Sequence, residues 1–159
     1  MSSQVLTSQA SPALAAWVRL LRGHSAARRE LSADLQAEHG LTVNDYECLL
    51  LLAKAEGGHL RRVDLAEGLA LTASGVTRLL EGLEAARLVE KATCSKDARV
   101  TYAVITAAGR ERLAEASSSH VAAVSELFEE RFSRDELETL AELLGRLPGA
   151  GGDGSDCTA

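Results

Sequence analysis

The chain has 159 residues and a mass of 16.8 kDa, of which 46% are hydrophobic and 25% charged, enough for one globular core. Aromatic residues make up only 3%, and two prolines stand against 13 glycines, which favours Leu/Ala-rich helices over a β-sandwich. The net charge of −6 argues against a uniformly basic nucleic-acid binder, and the longest apolar run, Cys48 to Ala53, falls far short of the roughly 20 residues of a membrane span.

Apolar residues first recur at Leu14, Trp17, Val18 and Leu21, then at Leu31 and Leu35, the stripe of one long helix that Gly40 ends. Arg19 and Arg22 interrupt that stretch and no basic segment precedes it, so it is not read as a secretory signal and the protein is expected in the cytoplasm. Thr42 with Asp45 starts a second helix, with Tyr46, Leu49, Leu50 and Ala53 facing inward, and Gly57-Gly58 stops it. A short helix fits Leu60 to Leu69, with Val63, Ala66 and Leu69 on its inner side. Thr72 caps the next, whose apolar set Val76, Leu79, Leu80 and Leu83 leaves Ser74, Gly75, Thr77, Arg78 and Glu81 outward.

From Leu88 the period shortens. Val100, Tyr102 and Val104 alternate with Thr101 and Ala103 as in a half-buried strand, and Leu88 to Ala92 is its expected partner in a hairpin with a polar tip. Thr106 then caps a long helix running through Leu113, His120, Val124 and Phe128. Ser133 with Glu136 opens the last helix, carrying Leu137, Leu140, Leu144 and Leu147 up to Pro148. The expected division is a disordered lead (1–11), one domain (12–147) and a disordered tail (148–159). Its fold class is mostly α with a small β-wing: a winged helix-turn-helix lobe (42–106) within helices for dimerisation (12–40 and 107–147).

Charge is not evenly spread along this layout. Between Gly58 and Arg112 lie nine of the 17 Lys/Arg but only seven of the 23 Asp/Glu, a local balance of +2 against −8 for the remainder. The winged segment is locally basic and its flanks are acidic.

Leu71 to Lys91 (LTASGVTRLLEGLEAARLVEK) followed by Asp97 to Thr106 (DARVTYAVIT) resembles the MarR family of bacterial transcriptional regulators, and the likeness extends over roughly residues 12 to 147. The wing pattern Asp97, Arg99, Ile105, Thr106 is its most specific part. The resemblance implies a homodimer that reads an imperfect palindrome in double-stranded DNA, commonly as a repressor released by a small-molecule effector. It places Thr72, Ser74, Gly75, Thr77 and Arg78 on the recognition helix, with Arg78 as the base reader. Arg99 would reach the minor groove or a phosphate with Asp97 holding its guanidinium, and Arg61, Arg62 and Lys96 would contact phosphates. Ala98 and Gly82 stand where relatives are often basic, which removes charge from the DNA face.

The three cysteines, Cys48, Cys94 and Cys157, are odd in number and scattered, neither a disulfide framework nor a metal-ligand set. The oxidant-sensing cysteine that some relatives carry in the first helix is absent; Cys48 reads as core packing and Cys94, between Lys91 and Lys96, as incidental. His24, His39, His59 and His120 contain no pair at i, i+4 spacing, so neither metal nor cofactor is expected. Trp17 and Tyr46 are weak candidates for an effector pocket, Trp17 reading mainly as dimer core. No catalytic grouping stands out, so an enzyme is not expected; the competing reading is a winged-helix module for protein contact without DNA binding, against which Arg78 and Arg99 together argue.

Overall fold

A computed structural model describes residues 11–94, 97 and 99–149, so nearly all of the expected lead and tail, and Lys96 with them, lie outside the described residues. Along the chain follow α1 (Pro12–His39), α2 (Val43–Lys54), β1 (His59–Arg61), α3 (Arg62–Gly68), α4 (Ala73–Ala85), β2 (Val89–Thr93), β3 (Thr101–Ile105), α5 (Ala107–Glu129) and α6 (Arg134–Gly145).

The helix boundaries follow from hydroxyl caps. Thr42 accepts from the Asp45 N–H while the Asp45 carboxylate accepts from the Thr42 N–H, and Ser133 and Glu136 repeat the arrangement at α6. Thr72 accepts from Gly75 N–H and Thr106 from Gly109 N–H. Each such cap is worth about 1 kcal/mol, enough to decide where a helix starts. Gly40, at φ +67°, ends α1 by donating to the Gln36 carbonyl at 3.1 Å.

The sheet is antiparallel in the order β1-β3-β2. β2 begins one residue later than expected, with Val89 opposite Ile105, and the Thr106 N–H donates to the Leu88 carbonyl at 3.1 Å at that end of the ladder. β1 is a correction to the sequence reading, which placed Leu60 and Arg61 in a helix. Gly57 and Gly58, at φ +69° and +70°, turn the chain so that His59 pairs with Val104 and Arg61 with Tyr102. Three residues are too few for alternation to show in a sequence.

The core centres on α2, where Tyr46, Cys48, Leu49 and Leu52 are fully buried against Leu65, Val76, Leu80 and Leu83 of the helix-turn-helix, Val89 and Ile105 of the sheet, and Leu113 and Ala116 of α5. Val63, expected on the inner side of α3, is 60% exposed. At 3.6 residues per turn it points nearly opposite to Leu65 two positions on, and Leu65 holds the core position. α1 buries only Leu35 completely, and α6 buries nothing.

Two backbone details set the angles between elements. A Cβ on Gly109 would lie 2.1 Å from the Leu88 carbonyl oxygen, so only glycine lets the first turn of α5 meet the start of β2. Ala70 closes the turn between α3 and α4 at φ +51°, a left-handed conformation costing about 1–2 kcal/mol for a residue with a Cβ. Gly109→Ala should therefore lower stability by about 1–3 kcal/mol, whereas Ala70→Gly should raise the thermal midpoint by roughly 2–4 °C; calorimetry on both variants checks the opposite signs.

Candidate nucleic-acid interface

The outward face of α4 begins at its cap. The Thr72 hydroxyl accepts from Gly75 N–H at 3.1 Å and shares a 3.2 Å hydrogen bond with Ser74 Oγ. A Cβ on Gly75 would stand 3.2 Å from that same Thr72 oxygen, so the glycine leaves room for the cap. Thr77 donates its hydroxyl proton to the Ala73 carbonyl at 3.0 Å, which leaves its oxygen as an acceptor. Arg78, one turn into the helix, is exposed and, among the described residues, in no ion pair. Ser74 and Gly82, four residues to either side, share its helix face.

In the wing, the Asp97 carboxylate accepts from the backbone N–H of Arg99 at 2.9 Å, and the Asp97 carbonyl accepts from Val100 N–H at 3.0 Å. The Asp97 side chain thus shapes the turn through the Arg99 backbone, since a two-residue spacing suits an Asx-type turn, and the Arg99 guanidinium is in no ion pair among the described residues. The wing is braced from behind by Lys91 on β2, whose Nζ lies 3.0 Å from Glu84 of α4.

Arg61 and Arg62 separate sharply. Arg61 ends β1, and its Nε and Nη2 donate to the two carboxylate oxygens of Asp64 at 2.8 and 2.7 Å. The two-pronged bond raises the pKa of Arg61 and lowers that of Asp64. Arg62 opens α3 half-buried and, among the described residues, unpaired. The signal for the pair in the sequence is an acid three residues after a base at a helix start.

Behind the lobe, polar contacts join it to α1 and α5. Arg28 of α1 donates to Glu47 at 3.1 Å and to Asn44 of α2, and the Tyr46 hydroxyl donates to Ser117 at 3.2 Å. His39 Nε2 and Ser119 Oγ are 2.7 Å apart, and Arg112 donates to the His39 carbonyl at 2.7 Å. A cavity of about 390 Å³ opens between α1 and α5, lined by Leu31, Asp34, Leu35, Glu38, Ser119, His120 and Glu126 among others. Neither expected pocket residue lines it: Tyr46 is buried in the core with its ring 4.5 Å from that of His120, and Trp17 lies exposed near the outer end of α1. The acidic lining was missed because Asp34, Glu38 and Glu126 meet only when α1 packs on α5.

Cys48 is fully buried, and burial, followed by the charge of Asp45, pushes its thiol up to about 12, so almost none of it is thiolate near neutral pH. Cys94 is a half-buried free thiol. Among the described residues no group of His, Cys, Asp and Glu could hold a metal, and no helix is long and apolar enough to cross a membrane.

A short helix, a tight turn and an outward-facing second helix, flanked by a three-stranded wing and carried on long helices, define a winged helix-turn-helix protein of the DNA-binding type. A sequence profile of the MarR family matches residues 39–100. AbsC, a MarR family transcriptional regulator from Streptomyces coelicolor, is 33% identical, with 82% of this chain and 87% of that one aligned at a TM-score of 0.72. Sco5413, a MarR family regulator from the same organism, is 27% identical over 91% of this chain and 98% of its own, with a TM-score of 0.76. Sco3205, also a MarR family regulator from S. coelicolor and solved in complex with DNA, shares the fold at 24% identity, 87% and 89% coverage and a TM-score of 0.75. No curated protein sequence matches the chain. The chain belongs to the MarR family of transcriptional regulators.

His120 offers a direct check of the junction between lobe and long helices. Its Nδ1 is buried without a hydrogen-bond partner, and burial lowers its pKa below 6.5 while Glu47 partly opposes the shift. The unfolded chain therefore binds this proton at higher pH than the folded one. Stability is full above the ordinary histidine value and declines as pH falls through it, levelling once the folded ring is also protonated. In urea unfolding at about pH 7.5 and about pH 5.5, His120→Phe should flatten that part of the decline.

Proposed function

We propose that this MarR family regulator is a homodimeric repressor that binds a palindromic operator in double-stranded DNA and is released by a small-molecule effector. The observation that carries the DNA-binding part is the pairing of two exposed arginines, Arg78 on α4 and Arg99 in the wing, both outside any ion pair among the described residues. Arg78 has the planar fork that meets guanine O6 and N7 together, with Ser74 and Thr77 beside it for base edges or phosphate and Gly75 leaving the backbone open to close approach. The DNA complex of Sco3205, which shares this fold, supports the same use of the lobe.

Dimerisation is supported by apolar surface that one copy leaves bare. Leu14, Trp17 and Leu21 form an exposed stripe at the outer end of α1, and Leu143 and Leu147 are about half exposed on or just beyond α6. A second copy would cover both and present two recognition helices about one DNA turn apart. Sedimentation at micromolar concentration should give about twice the monomer mass; a clean monomer would remove the basis for a palindromic operator.

The effector reading rests on the cavity between α1 and α5, because His120 lines it with its ring 4.5 Å from that of Tyr46 in the lobe, and Ser119 lines it while joined to His39 of α1. Its walls bear carboxylates and no Lys or Arg, which disfavours a small anion as the effector.

Selection of bound sequences from random DNA tests the proposal and supplies the operator. With that operator, Arg78→Ala should cost about 1–3 kcal/mol and relax preference at one symmetric pair of positions. Arg99→Ala removes one cation per lobe, so the slope of log K against log salt should fall in magnitude by about 2 while preference among operator variants hardly changes. An Arg78→Ala variant that keeps the wild-type ratio of operator to unrelated DNA would overturn the assignment of α4.

A further inference from the structure

Two neighbouring arginines at the start of α3 have opposite electrostatic states. Arg61 is closed on Asp64 by a two-pronged bond of 2.8 and 2.7 Å, whereas Arg62 is in no ion pair among the described residues. The closure follows from the fold. Arg61 is held at the end of β1 by its pairing with Tyr102 of β3, and its extended backbone (φ −72°, ψ 154°) turns into α3, so its side chain lies over the first helical turn, where Asp64 stands. Both groups remain solvent-accessible, so the pairing reflects geometry rather than burial.

We propose that Asp64 is a specificity-determining residue of the DNA-binding surface: by neutralising Arg61 it withholds a phosphate contact that would strengthen binding to any sequence. The inference rests on the DNA-binding reading above. In a helix-turn-helix the first helix crosses the sugar-phosphate backbone, and β1 delivers Arg61 to the start of that helix. A free cation there adds affinity without sequence information, because phosphates are alike along the duplex. A closed pair has no net charge and displaces no counterions. Leaving Asp64 for a phosphate would also expose the carboxylate to the polyanion, so binding DNA does not favour opening the pair. Of the candidate DNA-contacting cations among the described residues, those left to act are then Arg62, Arg78 and Arg99.

The test measures the salt dependence of binding to a random-sequence duplex and to the selected operator for wild type, Arg61→Ala, Arg62→Ala, Asp64→Asn and the double variant Arg61→Ala/Asp64→Asn, with thermal unfolding of each. Arg61→Ala, which bares the Asp64 carboxylate beside the polyanion, should bind both DNAs more weakly, and Arg62→Ala should reduce the magnitude of the slope of log K against log salt by about 2 per dimer. Asp64→Asn should steepen it by about 2, bind the random duplex more tightly and discriminate less between the two DNAs. The double variant should return to the wild-type slope. If the double variant instead reduces the slope as Arg62→Ala does, Arg61 already grips phosphate and the inference is overturned, whatever Asp64→Asn does to folding. A folded Asp64→Asn variant with the wild-type slope overturns it as well. Wild type that binds neither DNA in a salt-dependent manner defeats the DNA-binding reading, and this inference with it.

Discussion

The contact between Gly109 and the Leu88 carbonyl governs how the two halves of the molecule meet. No side chain larger than hydrogen fits at that point, and the Thr106 hydroxyl locks it from both directions by accepting from Gly109 N–H and donating to the Arg87 carbonyl at 2.8 Å. The last strand of the sheet and the first turn of α5 thus form one rigid corner. α5 leaves that corner to pack along α1, and α1 hands the chain to α2 at the centre of the core. The direction in which the wing points is therefore set from behind, by backbone geometry, rather than by the wing's own exposed residues.

Charge follows the same division. The carboxylates of Asp34, Glu38 and Glu126 gather where α1 and α5 face each other, outside the winged segment with its local excess of cations. Separation of this kind allows an acidic protein to approach a polyanion with one face only. Within the basic face a second selection operates, because Lys91 is engaged with Glu84 and Arg61 with Asp64, while Arg78 and Arg99 stay open. Counting basic residues thus overstates the cations available, and the pairing of each one decides what it can do.

Much of the fold was legible in the sequence because its boundaries are local. Thr42, Thr72, Thr106 and Ser133 each cap a helix from three residues away, a distance at which residue order alone determines the partner. β1 was not legible, since His59–Arg61 becomes a strand only by pairing with β3 more than forty residues later. At the candidate site, Ser74, Thr77 and Arg78 were placed by helical periodicity, and their exposure agrees with it well enough to define one face. Which part of Arg99 meets Asp97 is not legible in the sequence, because an aspartate two residues before an arginine can reach either its backbone or its side chain, and only the turn geometry decides. The acidic cavity involves two helices some eighty residues apart in sequence, beyond the reach of any local pattern.

The single tryptophan lies outside the core. Trp17 lies 56% exposed on the stripe it shares with Leu14 and Leu21, remote from the core, whereas Tyr46 is buried at the centre and Tyr102 sits half-buried on the sheet beside His59. Ultraviolet emission is consequently divided by location. Light excited selectively in the indole reports the polarity at the outer end of α1, and any change in its colour registers what covers that end. The interior of the winged lobe is silent in that channel and speaks only through its phenols, so one cuvette distinguishes events at the two ends of the molecule without an attached dye.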